Sequence, residues 1–456
     1  MRKLALSTAA LVLLAPAVAN ASGFSTARFG AEHGTPVSTN PTGLYYNPGA
    51  MADGPGLRVF VDGTFALRWA DFTHTQATTD VAEPAGAEGA NNGTATLFNF
   101  AAAPMIGATY TLENKLSFGA AFYVPFGGAS VWDKNKAFEN NASFAGPVDG
   151  VQRWHTIEGT LRSMFVTVGA AYRIEEARLS LGVTGNLILS DIDTVRARNA
   201  DGSNRLGTEG RSWLKASGIS GSFGIGALFE VVPKTVWLGA SYQSMPGVTG
   251  GTALDGKLTN KFGPGEPTVQ DVTVYQGLPD VFRFGVRGRP RDWLEFRLFG
   301  DISRWSAFKN QCIAPKGEKC AVSDKDGGAI EETAPVQNVV RKWQDAFGVR
   351  AGASFYPSDK AEVMVGVGYD GNAIPDATLD PSLTDFEDVS LSLGGRFQIM
   401  KQVGASLTYT HILYAPRNTT NKSSVATNVA PSNGPDAGGA YTQTIGVINA
   451  NVDLRF

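Results

Sequence analysis

The stretch 281–303, VFRFGVRGRPRDWLEFRLFGDIS, alternates apolar and polar residues with period two on either side of a short turn. Phe282, Phe284 and Val286 share one face, with Arg283, Gly285 and Arg287 on the other. Beyond the turn at 288–292, Leu294, Phe296, Leu298, Gly300 and Ile302 oppose Glu295, Arg297, Phe299 and Asp301. Successive side chains of a strand point to opposite faces, so each half is a β-strand with one apolar and one polar surface. The pattern recurs at 363–369, 389–398 and 448–456.

Followed along the chain, the alternation gives fourteen candidate strands, near 57–72, 96–112, 115–126, 156–174, 178–195, 214–231, 236–249, 271–289, 292–308, 341–357, 361–371, 386–399, 403–415 and 440–456. Their connections alternate in length. Short turns lie at 113–114, 175–177, 233–235, 289–291, 358–360 and 400–402, and long polar loops at 73–95, 127–155, 196–213, 250–270, 309–340, 372–385 and 416–439. An even strand number with short turns at one end and long loops at the other is the signature of an outer-membrane barrel. Closure also leaves no unpaired edge in lipid. A soluble sandwich or propeller would show blade repeats or more even loops, and the sequence carries no repeat.

Composition fits this reading. Mean hydropathy is −0.08, and beyond the N-terminus no apolar run is long enough for a membrane helix. Barrels spread their apolar residues by alternation in this way. A net charge of −3 without a Lys/Arg-rich block argues against nucleic acid as a partner. Residues 1–21 carry Arg2 and Lys3, the apolar run 4–14 and the A-x-A pattern Ala19-Asn20-Ala21, so a cleaved secretion signal is expected. Cys312 and Cys320 sit close together in a polar loop; in an oxidising compartment they are expected to form a small loop-clamping disulfide. A metal pair would want further Cys or His nearby.

Between signal and barrel lies a segment rich in Gly, Pro, Thr and Asn, residues 22–56. Gly and Pro at this density forbid a long helix or a central strand, so the piece is irregular and compact. Either it is a disordered tail or it plugs something larger; ahead of a barrel it is expected to be a plug, or hatch, with the barrel spanning 57–456. Catalytic signals are absent. The four histidines (His33, His74, His155 and His411) form no H-E-x-x-H pattern, and no G-x-S-x-G elbow or phosphate loop occurs. No enzyme, cofactor or metal is expected. The lumen-facing charges Arg283, Arg287, Glu295, Arg297 and Asp301 pair across strands or anchor the plug, with an Arg fork for a carboxylate as the sharper reading. Trp132, Phe138, Phe144 and Trp154 either pack the second long loop or line a capture groove.

Gly23-Phe24 and Tyr46-Asn47-Pro48-Gly49-Ala50-Met51 resemble the mature start and hatch motif of the FadL family of outer-membrane hydrophobic-compound transporters, which includes the toluene-type channels. A Gly stands at 49 where that family usually has Ala. Leu278-Pro279-Asp280 running into FRFGV, Asp292-Trp293, Arg304-Trp305 and the stretch 342–347 extend the likeness.

The resemblance implies a monomeric bacterial outer-membrane barrel in contact with membrane lipid and lipopolysaccharide. Its extracellular loops capture a fatty acid or other hydrophobic small molecule. The hatch, here Gly23, Phe24, Tyr45, Tyr46, Asn47, Pro48 and Gly49, rearranges, and the ligand leaves sideways at a kink in the third strand. Gly119 and Pro125 are the candidates for that kink: Gly weakens strand pairing, and Pro cannot donate to the ladder. A general porin for polar solutes and, more distantly, a barrel enzyme acting on lipids are the alternatives; a porin would lack the hatch.

Overall fold

A computed structural model describes residues 28–52, 54–247, 251–263, 265–330 and 335–456. The expected signal segment, Gly23 and Phe24 lie outside the described residues.

Fourteen antiparallel strands close into one barrel. They are β1 (Gly56–His74), β2 (Gly93–Thr111), β3 (Leu116–Val131), β4 (Glu158–Ile174), β5 (Leu179–Arg198), β6 (Gly210–Val232), β7 (Val236–Gln243), β8 (Val281–Arg291), β9 (Leu294–Ser303), β10 (Ala346–Ser358), β11 (Ala361–Asp370), β12 (Asp388–Met400), β13 (Val403–Tyr414) and β14 (Ala440–Arg455). Each pairs with its sequence neighbours, and β14 returns to β1 from Arg58↔Arg455 to Thr73↔Ala440. Closure gives the first and last strands partners and leaves no free sheet edge in lipid.

The alternation resolves as the sequence requires. Phe282, Phe284, Val286, Phe296 and Leu298 are exposed or half-exposed on the outside, whereas Arg283, Glu295 and Arg297 are buried in the lumen. Outward-facing apolar side chains meet lipid tails, and inward polar ones find partners: Arg297 Nη1 donates to Glu295 Oε1 at 2.7 Å and Nη2 to Ser354 Oγ at 2.7 Å.

Three stretches depart from the expected strands. The segment expected as one strand at 271–289 is two elements: Thr268–Gly277 is the second arm of a hairpin begun by Gly251–Lys261, and β8 starts only at Val281. That hairpin occupies what reads as a polar loop at 250–270. Its first arm pairs with β6 from Arg211↔Lys261 to Ser217↔Asp255, and its second pairs with 312–315, from Cys312↔Tyr275 to Pro315↔Val272. The strand expected at 236–249 accordingly ends at Gln243. β6 has 23 residues, about twice what a membrane crossing needs, so its first half stands above the lipid and the hairpin prolongs the barrel wall there. Asn310–Pro315 and Gln337–Val340 add a further pair to this extension. Cys312 and Cys320 are joined by a disulfide at its edge.

Candidate functional site

Residues 28–52 fill the barrel lumen. The chain folds as short pieces: a 3-10 turn at Ala31–His33, one α-turn at Gly43–Tyr46, and a second 3-10 turn at Pro48–Met51. Pro48 opens the last turn, where a missing N–H costs nothing, and Asn47 caps it by accepting from the Gly49 N–H at 3.0 Å. Asn47 is completely buried, and its amide donates to Pro36 O (2.7 Å) within the hatch and to Ala227 O (2.9 Å) in the β6 wall. Ser241 Oγ donates to Tyr46 O at 2.5 Å, and the Arg283 guanidinium lies 4.2 Å from the Tyr45 ring. Burial pushes the Tyr45 and Tyr46 hydroxyls above the usual phenol range.

The two sides of the hatch are held differently. Towards β5 and β6 the contact is backbone on backbone. A Cβ at Gly226 would collide with Asn47 Oδ1, and one at Gly182 with the Pro48 carbonyl. Glycine at these two positions is therefore what lets the Asn47-Pro48-Gly49 turn lie flat against the wall. Towards β11 and β1 the contact is made by charged side chains: His33 Nε2 lies 2.7 Å from Glu362 Oε1, Arg28 lies 3.6 Å from Asp370, and the Gly30 N–H donates to Asp62 Oδ2 at 3.0 Å.

Above the hatch, the loops enclose a cavity of about 110 Å³. Trp154, Leu161, Ile192, Leu214 and Ile313 form its apolar wall; Arg196, Arg198, Arg341, His155 and Asp380 its polar one. Arg341 donates to Asp380 Oδ2 (2.9 Å) and Gln311 Oε1 (3.0 Å), and Arg198 to Gln337 Oε1 (2.6 Å). The Arg196 side chain has no hydrogen bond or ion pair among the described residues, although its backbone pairs with Ser212 of β6. Burial holds His155 down to about 4, with its Nε2–H directed at Asp436 O (3.3 Å). The loop aromatics split between the two readings: Trp154 lines the cavity, while Phe138 and Phe144 pack a separate loop cluster with Ala87, Ala90 and Val148. Arg153 ties that cluster together through Ala90 O, Asn91 Oδ1 and Glu209.

The barrel wall is interrupted between β2 and β3. Their ladder runs from Thr111↔Ser117 only as far as Met105↔Tyr123. Against β4, β3 shifts register between Tyr123 and Phe126, so the irregularity sits at Val124-Pro125. Gly119 is not part of it: it pairs regularly with Thr109 and Gly169, and its missing side chain instead makes room for Leu44 of the hatch. Val131 N–H reaches Asn99 Oδ1 (3.3 Å) and Asp133 N–H reaches Thr96 O (3.0 Å) farther up, so the gap is bounded. Its edges are small residues, Ala101, Ala102 and Ala103 on β2 and Gly127, Gly128 and Ala129 on β3.

A row of aromatic rings runs past this gap. Trp343 and Trp305 in the loops are 5.0 Å apart; Trp305 reaches Phe126 (5.8 Å), Phe126 reaches Phe165 (6.1 Å), and Phe165 reaches Tyr123 (5.6 Å). Tyr123 then meets Tyr45 (5.3 Å) and Phe29 (5.7 Å) of the hatch. No motif in the sequence announces this row, because its members come from β3, β4, the hatch and the long connection between β9 and β10.

A closed barrel with a lipid-facing apolar belt and its own N-terminal segment in the lumen is an outer-membrane protein of the plugged-transporter class. The chain belongs to the outer membrane protein transport protein (OMPP1/FadL/TodX) family, whose model matches residues 8–456. That family consists of outer-membrane transporters of hydrophobic compounds, not enzymes. The fold is shared with a Pseudomonas aeruginosa FadL homologue (TM-score 0.76, 15% identity, 97% of this chain and 100% of that one). It is also shared with the Ralstonia pickettii toluene transporter TbuX (0.60, 16%, 91% and 94%) and the P. putida toluene transporter TodX (0.62, 14%, 92% and 94%). No curated protein matches the sequence.

Proposed function

We propose that this protein takes up hydrophobic compounds passively, capturing them in the loop cavity and releasing them sideways through the gap between β2 and β3. The observation that carries this is the aromatic row, which joins the loops to the β3 irregularity and the hatch in one apolar track. An apolar molecule is obstructed by lipopolysaccharide and gains nothing from a polar pore, whereas rings at 5–6 Å spacing offer it continuous apolar contact. Small residues at the gap leave space for a chain to pass, and the hatch, touching Tyr123 through Tyr45 and Phe29, is placed to shift as the track fills.

The charged wall of the cavity suits an acid head group better than a neutral aromatic. Its apolar wall would take the carbons next to the head group, and the Arg196 side chain, with no hydrogen bond or ion pair of its own among the described residues, would take the carboxylate through charge-assisted hydrogen bonds. The test is uptake of labelled oleate and of toluene by proteoliposomes carrying the wild type or Arg196→Gln. Oleate uptake is expected to fall in the variant while toluene uptake holds. Free passage of sugars by the wild type, with no preference for either apolar ligand, would favour a porin instead.

A further inference from the structure

A second guanidinium lies deeper, behind the gap. Arg68 of β1 is 3% exposed and shares a rung with Asn99 of β2, at the upper edge of the interrupted ladder. Its hydrogen bonds all go to neutral groups: Nε donates to Gln443 Oε1 (2.9 Å), Nη2 to Thr384 Oγ1 (2.7 Å), and Nη1 to Ala129 O on the gap's β3 edge (3.3 Å). No carboxylate is within ion-pair distance among the described residues. A buried charge is normally paired, because transfer from water is costly without an opposite charge.

Beside it is an independent sign of a missing ligand. Gln443 is 7% exposed, its Oε1 accepts from both Arg68 and Thr384, and its amide Nε2 is buried with no acceptor. An unpaired cation and an unpaired N–H donor side by side call for an anion. The position gives it a source. Ala129 and Thr384 adjoin Ser130 and Leu383, which line the loop cavity, so a molecule moving from the cavity towards the gap meets Arg68 next.

We propose that Arg68 and Gln443 form a second head-group site, which holds the carboxylate of an apolar-chain acid at the lateral gap. The chain then lies along the small residues of β2 and β3. This rests on the uptake route above but is tested by binding, so the two stand or fall separately.

The measurement is calorimetric binding of decanoate, with decanol as the uncharged control, to the full detergent-solubilised chain carrying Arg196→Gln, which silences the outer site. Decanoate is expected to bind this protein more tightly than decanol, and adding Arg68→Gln is expected to weaken decanoate about tenfold without moving decanol. Adding Gln443→Glu instead supplies an internal counter-ion and is expected to produce the same selective loss. That variant does not depend on how well the barrel tolerates losing Arg68. Retained heat-modifiable migration in gels reports the fold in each case. Decanoate binding that is absent from the Arg196→Gln protein, or unchanged by Gln443→Glu, would overturn the proposal.

Discussion

At the residue scale, single side chains carry more of this protein's behaviour than their chemistry announces. Gly226 has no polar atom beyond its backbone, yet its lack of a Cβ seats the Asn47 turn. Gly226→Val is expected to unseat the hatch by about 1–3 kcal/mol of overpacking while leaving the barrel ladder intact. Faster amide exchange in 28–52 with unchanged strand protection would show it. His155 gives a pH dependence. Its folded value of about 4 lies below the free imidazole value of about 6.5, so the unfolded loop binds the proton first. Stability from the neutral ring is present above about pH 6.5 and is lost as pH falls towards 4. Exchange protection of residues 150–157 and 425–437 is therefore expected to drop across that window, and the drop is expected to shrink in His155→Gln. Asp436, raised by burial, acts in the opposite sense, so the comparison with the variant isolates the histidine.

At the element scale, β3 is the strand that departs from the rest. It carries one extra residue relative to β4, since Tyr123 pairs with Phe165 but Phe126 with Ser163. An inserted residue kinks a strand and breaks its ladder locally. Deleting Pro125 is expected to restore the register, extend the β2–β3 pairing above Met105↔Tyr123 and close the gap. Uptake of apolar ligands should then fall to background while loop-cavity binding survives; uptake that persists would place the exit elsewhere. The notion of a kinked third strand came from the family resemblance, and the sequence offered Gly119 and Pro125 as candidates for it; the register shift falls beside Pro125. Gly119 misled because glycine in a strand has two uses, a bulge or a close approach, and only the neighbour facing it, Leu44, separates them.

At the scale of the whole molecule, barrel and hatch are separable in their energetics. The wall is held by its own closed ladder, and the hatch by a backbone contact on one side and ion pairs on the other. Removing residues 22–52 is expected to leave a folded barrel that conducts small polar solutes, measured as a rise in planar-bilayer conductance over the intact protein. The sequence by itself determined the all-β class, the fourteen strands, the side of each strand that faces lipid and the end that carries the long loops. These follow from period-two alternation and turn chemistry, which act over a few residues and need no distant partner. Tertiary structure alone decided the split of 268–291 into a hairpin arm and a barrel strand, since both halves alternate and only their partners separate them, 251–261 for the one and β7 for the other. It alone assembled the aromatic row, the glycine seat of the hatch, and the pairing of Arg68 with Gln443, which are 375 residues apart. Those features depend on which strands become neighbours when the sheet closes, and closure is a property of the whole chain that no local pattern encodes.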